Sequence, residues 1–174
     1  ATGEYIALLD HDDVLSEDAL YCFVKALQEK HYDVLYSDED RMSEDGAKFL
    51  DPVFKPDYNP DLLRAYNYIS HLCMVNKSLA ASVGGFCKLY DGAQDYDFIL
   101  KCCETVISCD KREWEELIDG GIRHISRVLY HRRMHRRTME KEQRIELARE
   151  TGRRALEADL NRMDCYAVVN RSDI

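Results

Sequence analysis

The residues with the clearest chemical potential are the run DHDD at positions 10–13, directly after an apolar, strand-forming segment at 5–9. Three carboxylates in the turn beyond the carboxyl end of a buried strand occupy the place where open α/β sheets bind ligands. Carboxylates this close repel one another unless a cation, a ligand or protonation relieves them, and oxygen ligands suit Mg²⁺ or Mn²⁺. The run therefore predicts a metal and diphosphate site. The alternative is an acidic loop that caps the following helix through Asp12 or Asp13.

Two further positions could act on a substrate. Asp95 opens a helix a few residues after the Gly84-Gly85 break, where a carboxylate is placed to act as a base or simply to cap the helix. His131 follows a strand, and a neutral imidazole there could complete a metal site, although a single histidine is more often structural.

The elements that must position these residues are short. Segments 5–9, 17–28 and 33–36 are typical of a strand, a helix and a strand, and this βαβ unit predicts a parallel sheet. In the helix, the apolar spacing marks Leu20, Phe23, Val24 and Leu27 as the inward face. A turn at 44–46 predicts a hairpin of the kind that often covers a ligand.

The rest of the chain continues this alternation of elements. Helices are expected at 61–66 and 95–106, and strands at 71–75 and 122–130. A long helix over 139–163 carries a broken apolar stripe and is expected to pack on the body with its basic face outward. The stripe consists of Ile145, Ala148, Ala155, Leu156, Leu160 and Met163.

Composition limits the partners and the compartment. No apolar window reaches the ~18 residues that a membrane helix needs, and the first nine residues lack the basic start of a secretory signal. Seven cysteines without a CxxC pair fit reduced thiols, so a soluble cytoplasmic protein is expected. The net charge of -9 argues against nucleic acid. Positions 123–154 nevertheless hold 11 basic and 4 acidic residues. This basic segment is either a solvated helix face or a contact for phosphate, nucleotide or anionic lipid.

Several motifs occur in an order that resembles the bacterial family 2 glycosyltransferases of the GT-A fold. They are GEYIALLDHDDVL, YSDEDRM, FKPDYNPDLL, NYISHL, GGF, AQDYD and VLYHRRMH, and together they cover positions 3–135. The resemblance implies an α/β fold with a partial, Rossmann-like GT-A sheet flanked by helices and a long C-terminal helix. It also implies a catalytic portion at 1–138 and a helical extension at 139–174.

The resemblance assigns roles to the carboxylates. Asp12 would bind a Mn²⁺ or Mg²⁺ ion, and Asp10 would bind the nucleotide-sugar, with Asp13 beside it. Asp95 would deprotonate the acceptor hydroxyl while the anomeric carbon inverts, and Gln94, which precedes it as in the family's Gln-Asp variant, would bind substrate.

Basic residues complete the implied site. His131 matches a metal-side position, with His135 as the second choice. Arg132 and Arg133 lie in a basic loop that is expected to close over the diphosphate, whose charge grows as it leaves.

The implied activity is transfer of a sugar from a nucleotide-diphosphate sugar, with a UDP-sugar as the expected donor. The acceptor would be a hydroxyl of a glycan or lipid-linked molecule in cell-surface polysaccharide or glycolipid synthesis. Such acceptors place the enzyme at the inner face of the membrane, where the basic segment would make a peripheral contact. Family members normally have a base-binding strand and turn upstream of the DxD, so the chain is expected to be a weakly active fragment whose exposed sheet edge favours self-association.

Two other interpretations remain open at this point. A strand followed by DxD also begins haloacid-dehalogenase-like phosphohydrolases, in which Asp10 would be the nucleophile, but that class leaves AQDYD and VLYHRRMH unexplained. The other is a non-catalytic fragment that binds a cation or a partner chain.

Overall fold

The computed structural model describes residues 2–109, 121–134 and 139–170. Within them six strands form one mixed sheet in the order β1-β5-β3-β6-β2, with β4 attached to β3. The strands are β1 (Tyr5–Leu8), β2 (Val14–Leu15), β3 (Val34–Met42), β4 (Phe49–Val53), β5 (Cys73–Asn76) and β6 (Ile122–Arg133). The helices are α1 (Ala19–Glu29), α2 (Pro60–Ala65), α3 (Lys77–Ser82), α4 (Gln94–Cys109) and α5 (Met139–Arg162). The predicted α/β architecture and long C-terminal helix are confirmed.

The expectation of a parallel sheet is only half right. β1 and β3 do run in the same direction, but β5 lies between them and is antiparallel to both. The extended parallel pairing is instead between β3 and β6. The error arose because the sequence pattern predicts a strand near 71–75 without specifying its direction or its neighbours.

The sheet separates two cores because successive side chains of a strand point to opposite faces. Val34 and Tyr36 pack in the core that contains the buried side of α4, while Leu35 packs in the core under α1. In α1 the inward residues are Ala19, Cys22 and Phe23. The predicted face is therefore wrong in part, since Leu20 and Val24 are 56% and 51% exposed.

The helix α5 packs against α4, but not through the predicted apolar stripe alone. From position 143 onward its buried residues are Thr151, Ala155 and Asp159, whereas Ile145 is 37% and Met163 is 47% exposed. Buried Asp159 accepts a hydrogen bond from Nε of Arg64 at 3.0 Å, and this pair ties α5 to α2. An ion pair therefore occupies part of the interface that the sequence assigned to apolar contacts. None of the described helices is both long and apolar enough to cross a bilayer.

Candidate functional site

The DHDD run crosses one end of the sheet. β1 lies at one edge and β2 pairs with the far side of β6, so residues 9–13 connect strands that are four positions apart in the sheet. Since β1, β3 and β6 run in the same direction, their carboxyl ends lie at the same end of the sheet, which this connection crosses. The loop is therefore placed where strand ends leave room for a ligand.

Asp13 fastens this loop to β6. Its Oδ2 accepts a hydrogen bond from the Tyr130 hydroxyl at 2.6 Å, and its Oδ1 accepts from the backbone N–H of Arg133 at 2.8 Å. The Tyr130 hydroxyl also accepts from the N–H of Asp10 at 3.2 Å. Burial raises the pKa of Tyr130, and its hydrogen bond to Asp13 raises it further, so the phenol stays a neutral donor. The observed contacts of Asp13 are thus structural, and its predicted contact with the substrate stays a prediction.

Arg133 joins the same loop to the β3–β4 hairpin. Its Nε donates to the carbonyl of Asp12 and its Nη1 donates to the carbonyl of Glu44, both at 2.8 Å. The neighbouring Arg132 is exposed. The expected closure of these two arginines over a diphosphate stays a prediction.

His131 is held in a defined orientation by Asp40. The two residues are paired in register across β3 and β6, and Nδ1 of His131 lies 2.7 Å from Oδ1 of Asp40. A carboxylate only accepts hydrogen bonds, so the proton belongs on Nδ1 and Nε2 presents a lone pair. Phe49 packs against the ring with centroids 4.4 Å apart. His135, the second choice for this role, lies outside the described residues.

The donor chemistry of Asp12 and His131 fits a cation that shares its coordination with a ligand. In the described part of the chain no group of three or more His, Cys, Asp or Glu side chains is assembled for a metal. Mg²⁺ and similar ions are commonly held by one or two carboxylates together with substrate phosphates. A His with its other nitrogen on a carboxylate is the usual arrangement of a metal-binding imidazole, and Asp40 supplies that carboxylate.

Asp95 stands in the first turn of α4, where the sequence predicts it. Nδ2 of Asn67 donates to Oδ2 of Asp95 at 3.2 Å, which restricts the direction of the carboxylate. Oε1 of Gln94 accepts from the backbone N–H of Gly92 at 2.8 Å and so closes the turn that leads into the helix. Gly92 adopts a φ of 97°, a conformation that favours glycine.

A buried lysine, which the sequence analysis did not single out, supports the loop 66–72. Nζ of Lys55 donates to Oε2 of Glu39 at 3.0 Å and to the carbonyl of Ile69 at 2.8 Å, and it also donates to the carbonyl of His71. Burial lowers the pKa of Lys55, while the charge of Glu39 opposes that shift. This arrangement anchors to β3 the loop that carries both Asn67 and His71.

Asp38 completes the anchor on β3. Its Oδ1 accepts from the backbone N–H of Lys55 at 2.8 Å and lies 2.7 Å from Nε2 of His124. The motifs YSDEDRM, FKPDYNPDLL and NYISHL contain Asp38, Lys55 and His71, but they indicated only a family. Nothing in their local pattern showed that these side chains meet.

A cavity of about 800 Å³ opens on the Asp95 side of the molecule. It lies between the end of α2 and the face of α5, and its lining includes Tyr66, Asn67, Tyr96 and Arg153. Tyr66 is 54% exposed. On α5, Arg149 and Arg153 are paired with acids of the same helix, so the basic segment is not a free positive surface at these positions.

Comparison with known sequences places this arrangement among related proteins. The chain is 44% identical over 165 residues to the uncharacterized protein y4gI of Sinorhizobium fredii, covering 93% of this chain and 17% of that protein. It is 36% identical over 132 residues to the O-antigen biosynthesis protein RfbC of Myxococcus xanthus, covering 75% and 9%. The chondroitin synthase of Pasteurella multocida is 26% identical over 136 residues, covering 78% and 13%. The chain thus spans less than a fifth of the length of these relatives, and no family model matches it.

Solved structures show the same fold. A crystal structure of S. aureus TarS residues 1–349 superposes with a TM-score of 0.56 at 19% identity, covering 92% of this chain and 42% of that one. Its complex with UDP-GlcNAc gives a TM-score of 0.55 at 18% identity, covering 93% and 49%. The chain therefore has a partial GT-A fold, and the comparisons support a family 2-like glycosyltransferase.

The predicted carboxylates lie in two parts of the fold, and the 66–72 loop contacts both of them. Asp10 and Asp12 lie in the loop across the strand ends, and Asp95 lies in the first turn of α4 beside the 66–72 loop. The phosphohydrolase interpretation is not carried further because the comparisons support a glycosyltransferase.

Proposed function

We propose that the protein is an inverting, metal-dependent glycosyltransferase that transfers a sugar from a UDP-sugar to a hydroxyl of a glycan or lipid-linked acceptor. The process it would serve is synthesis of a cell-surface polysaccharide or glycolipid. The names of its relatives support this process, since they include an O-antigen biosynthesis protein and a chondroitin synthase. The neighbouring TarS complexes with UDP-GlcNAc and UDP support a UDP-linked donor.

The main support for the proposal is that one loop contacts residues of both predicted halves of the site. Within residues 66–72, Asn67 donates to Asp95, and His71 lies 3.5 Å from Asp10. A glycosyl transfer needs the donor on one side and the base on the other, with the anomeric carbon between them. The loop thus contacts both the carboxylate proposed for the donor side and the carboxylate proposed for the acceptor side.

Asp95 is the proposed general base. Its carboxylate would accept the proton of the acceptor hydroxyl as the oxygen attacks the anomeric carbon from the face opposite the leaving diphosphate, which inverts that carbon. Asn67 leaves this charge in place because an amide N–H donates a hydrogen bond without transferring a proton. A positioned base of this kind contributes roughly 10²- to 10⁴-fold in rate.

Asp12 and His131 are the proposed protein ligands of Mn²⁺ or Mg²⁺, and Asp10 is the proposed contact to the nucleotide-sugar. When bound, the cation would supply positive charge that stabilises the departing diphosphate. Asp40 would keep the lone pair of His131 Nε2 available by holding the proton on Nδ1.

The cavity beside α5 is the proposed approach for the acceptor. It is lined by Asn67, whose amide contacts the base, and by the exposed ring of Tyr66. Aromatic rings with polar neighbours suit ligands that have both an apolar and a polar character, as sugars do. Replacing Tyr66 by Ala would then lower the transfer rate while leaving the affinity for UDP unchanged.

Calorimetric titration of UDP into the chain tests the proposal without the acceptor. We expect binding with Mn²⁺ present, no measurable binding with the ion removed by a chelator, and loss of binding in Asp12→Asn. The matched control is Asp45→Asn, because Asp45 lies in the exposed hairpin turn and bonds only to its neighbours Ser43 and Ala47 among the contacts described. UDP binding that is unchanged by removal of Mn²⁺ and by Asp12→Asn, or no binding at all, would contradict the proposed donor site.

A further inference from the structure

We infer that His71 is a positioning residue that fixes the carboxylate of Asp10 for the nucleotide-sugar. The inference rests on the proposed function and adds a residue to the donor side of the site. His71 precedes β5, whose first residues lie at the same end of the sheet as the DHDD loop. Its Nε2 lies 3.5 Å from Oδ2 of Asp10.

The ring of His71 is held rigidly. It stacks on Tyr130 with centroids 5.0 Å apart and planes 14° from parallel, and its side chain is only 9% exposed. Nζ of Lys55 holds the backbone carbonyl of the same residue. The hydroxyl of Tyr130 contacts Asp13 and Asp10, and its ring stacks on His71. Tyr130 therefore connects His71 to the DHDD loop.

The surroundings of His71 select one tautomer. Nδ1 is buried and has no hydrogen-bond partner among the described residues. A proton on Nδ1 would leave a buried donor unsatisfied and would turn the Nε2 lone pair toward a carboxylate, and both are unfavourable. A proton on Nε2 avoids both costs and gives Asp10 a donor.

A neutral donor is what the proposed role of Asp10 requires. The Nε2–H group would restrict the direction of the carboxylate without removing its negative charge, so Asp10 could still accept hydrogen bonds from hydroxyls of the nucleotide-sugar, including the ribose hydroxyls of UDP. The separation of 3.5 Å is long for a hydrogen bond, and contacts of this kind tighten when the substrate binds. His71 would therefore act through Asp10 and not on the reacting atoms.

Two variants of His71 separate a positioning role from a packing role. His71→Gln places an amide N–H near the position of Nε2, whereas His71→Asn places one near Nδ1 and leaves Asp10 without a donor. We expect His71→Asn to weaken Mn²⁺-dependent UDP binding about 10-fold, as for a lost hydrogen bond to a charged group, and His71→Gln to restore most of it. In an Asp10→Asn background, His71→Asn should have no further effect.

Equal weakening by both variants, or an undiminished effect of His71→Asn in the Asp10→Asn background, would overturn the inference. A second readout does not depend on UDP. Long-range ¹H–¹⁵N spectra of the histidine-labelled chain should show the neutral Nε2–H tautomer of His71, with a resonance that moves in Asp10→Asn. Absence of UDP binding by the unsubstituted chain would reject the proposed function, while an Nδ1–H tautomer would reject the inference about His71.

Discussion

Asn67 and Asp95 are joined by a hydrogen bond of 3.2 Å from the amide nitrogen to Oδ2. The carboxylate lies in the first turn of α4, while the amide belongs to a loop that is anchored to β3 by a buried lysine. The orientation of the proposed base is therefore determined partly by a strand on which it does not lie. This coupling extends to Asp10, since His71 lies in the same loop.

Asp95→Asn should abolish sugar transfer without weakening binding of the donor nucleotide. The amide cannot take a proton from the acceptor, so we expect UDP release from a UDP-sugar to fall about 100-fold or more. The affinity for UDP should remain within about twofold, because the change removes no contact on the donor side. Asp91→Asn, at an exposed position before the same helix, is the matched control. An unchanged rate in Asp95→Asn would remove this residue from the mechanism.

Asp40→Asn should weaken the cation site without changing any proposed ligand. The amide is a weaker acceptor than the carboxylate that contacts Nδ1 of His131, and it can also present an N–H donor, so the proton is no longer held on Nδ1. Changes to such supporting residues lower metal affinity about 10- to 100-fold in other proteins. The measurement is a Mn²⁺ titration at saturating UDP, in which the electron paramagnetic resonance signal reports the free ion. If the Mn²⁺ affinity matches that of the unsubstituted chain, His131 is not held for a metal by Asp40.

Lys55→Met should destabilise the fold strongly. The Lys55 side chain is 1% exposed, and its ammonium contacts Glu39 and two backbone carbonyls, which would lose their donor in the buried site. Removing one partner of a buried ion pair typically costs about 3–5 kcal/mol in the free energy of unfolding. Urea denaturation measures the difference, with the exposed Lys48→Met on the same hairpin as the control. A cost below about 1 kcal/mol would show that water replaces the lost donor.

Alkaline pH should destabilise the protein through its buried tyrosines. Burial raises the pKa of Tyr36 and Tyr58 in the folded chain, whereas the unfolded chain releases these protons near a pKa of about 10. The folded state then holds more protons than the unfolded state above pH ~10, so the free energy of unfolding falls as pH rises. Below that pH the contribution of these groups is constant.

Tyr36→Phe isolates one of these groups. Removing the Tyr36 hydroxyl should make the fall of the unfolding free energy with pH above pH ~10 less steep, by up to about 1.4 kcal/mol per pH unit, the value for one proton. The hydroxyl of Tyr36 donates to the carbonyl of Pro56 at 2.6 Å, so the variant is also expected to be less stable at neutral pH. Tyr21→Phe, at a residue that is 66% exposed, should leave the slope unchanged. Identical slopes in Tyr36→Phe and the unsubstituted chain would contradict the raised pKa.

Local patterns in the sequence were sufficient to locate the elements that bear the predicted site. The strand before DHDD, the turn in the hairpin and the helix that begins with Gln94 and Asp95 all depend on residues within a few positions of one another. Asn59 is a clear example, because its side chain caps α2 through the N–H of Leu62 and Pro60 follows it. Interactions of this range are encoded by spacing and residue type, so reading the sequence recovers them.

The tertiary structure decided which distant residues complete the site. The insertion of β5 between β1 and β3 places His71 beside Asp10, and the pairing of β3 with β6 places Asp40 beside His131. Lys55 reaches the 66–72 loop only after the hairpin has folded back along β3. These contacts depend on strand direction, order and register, which follow from how distant segments share one core. No local spacing of residues specifies them.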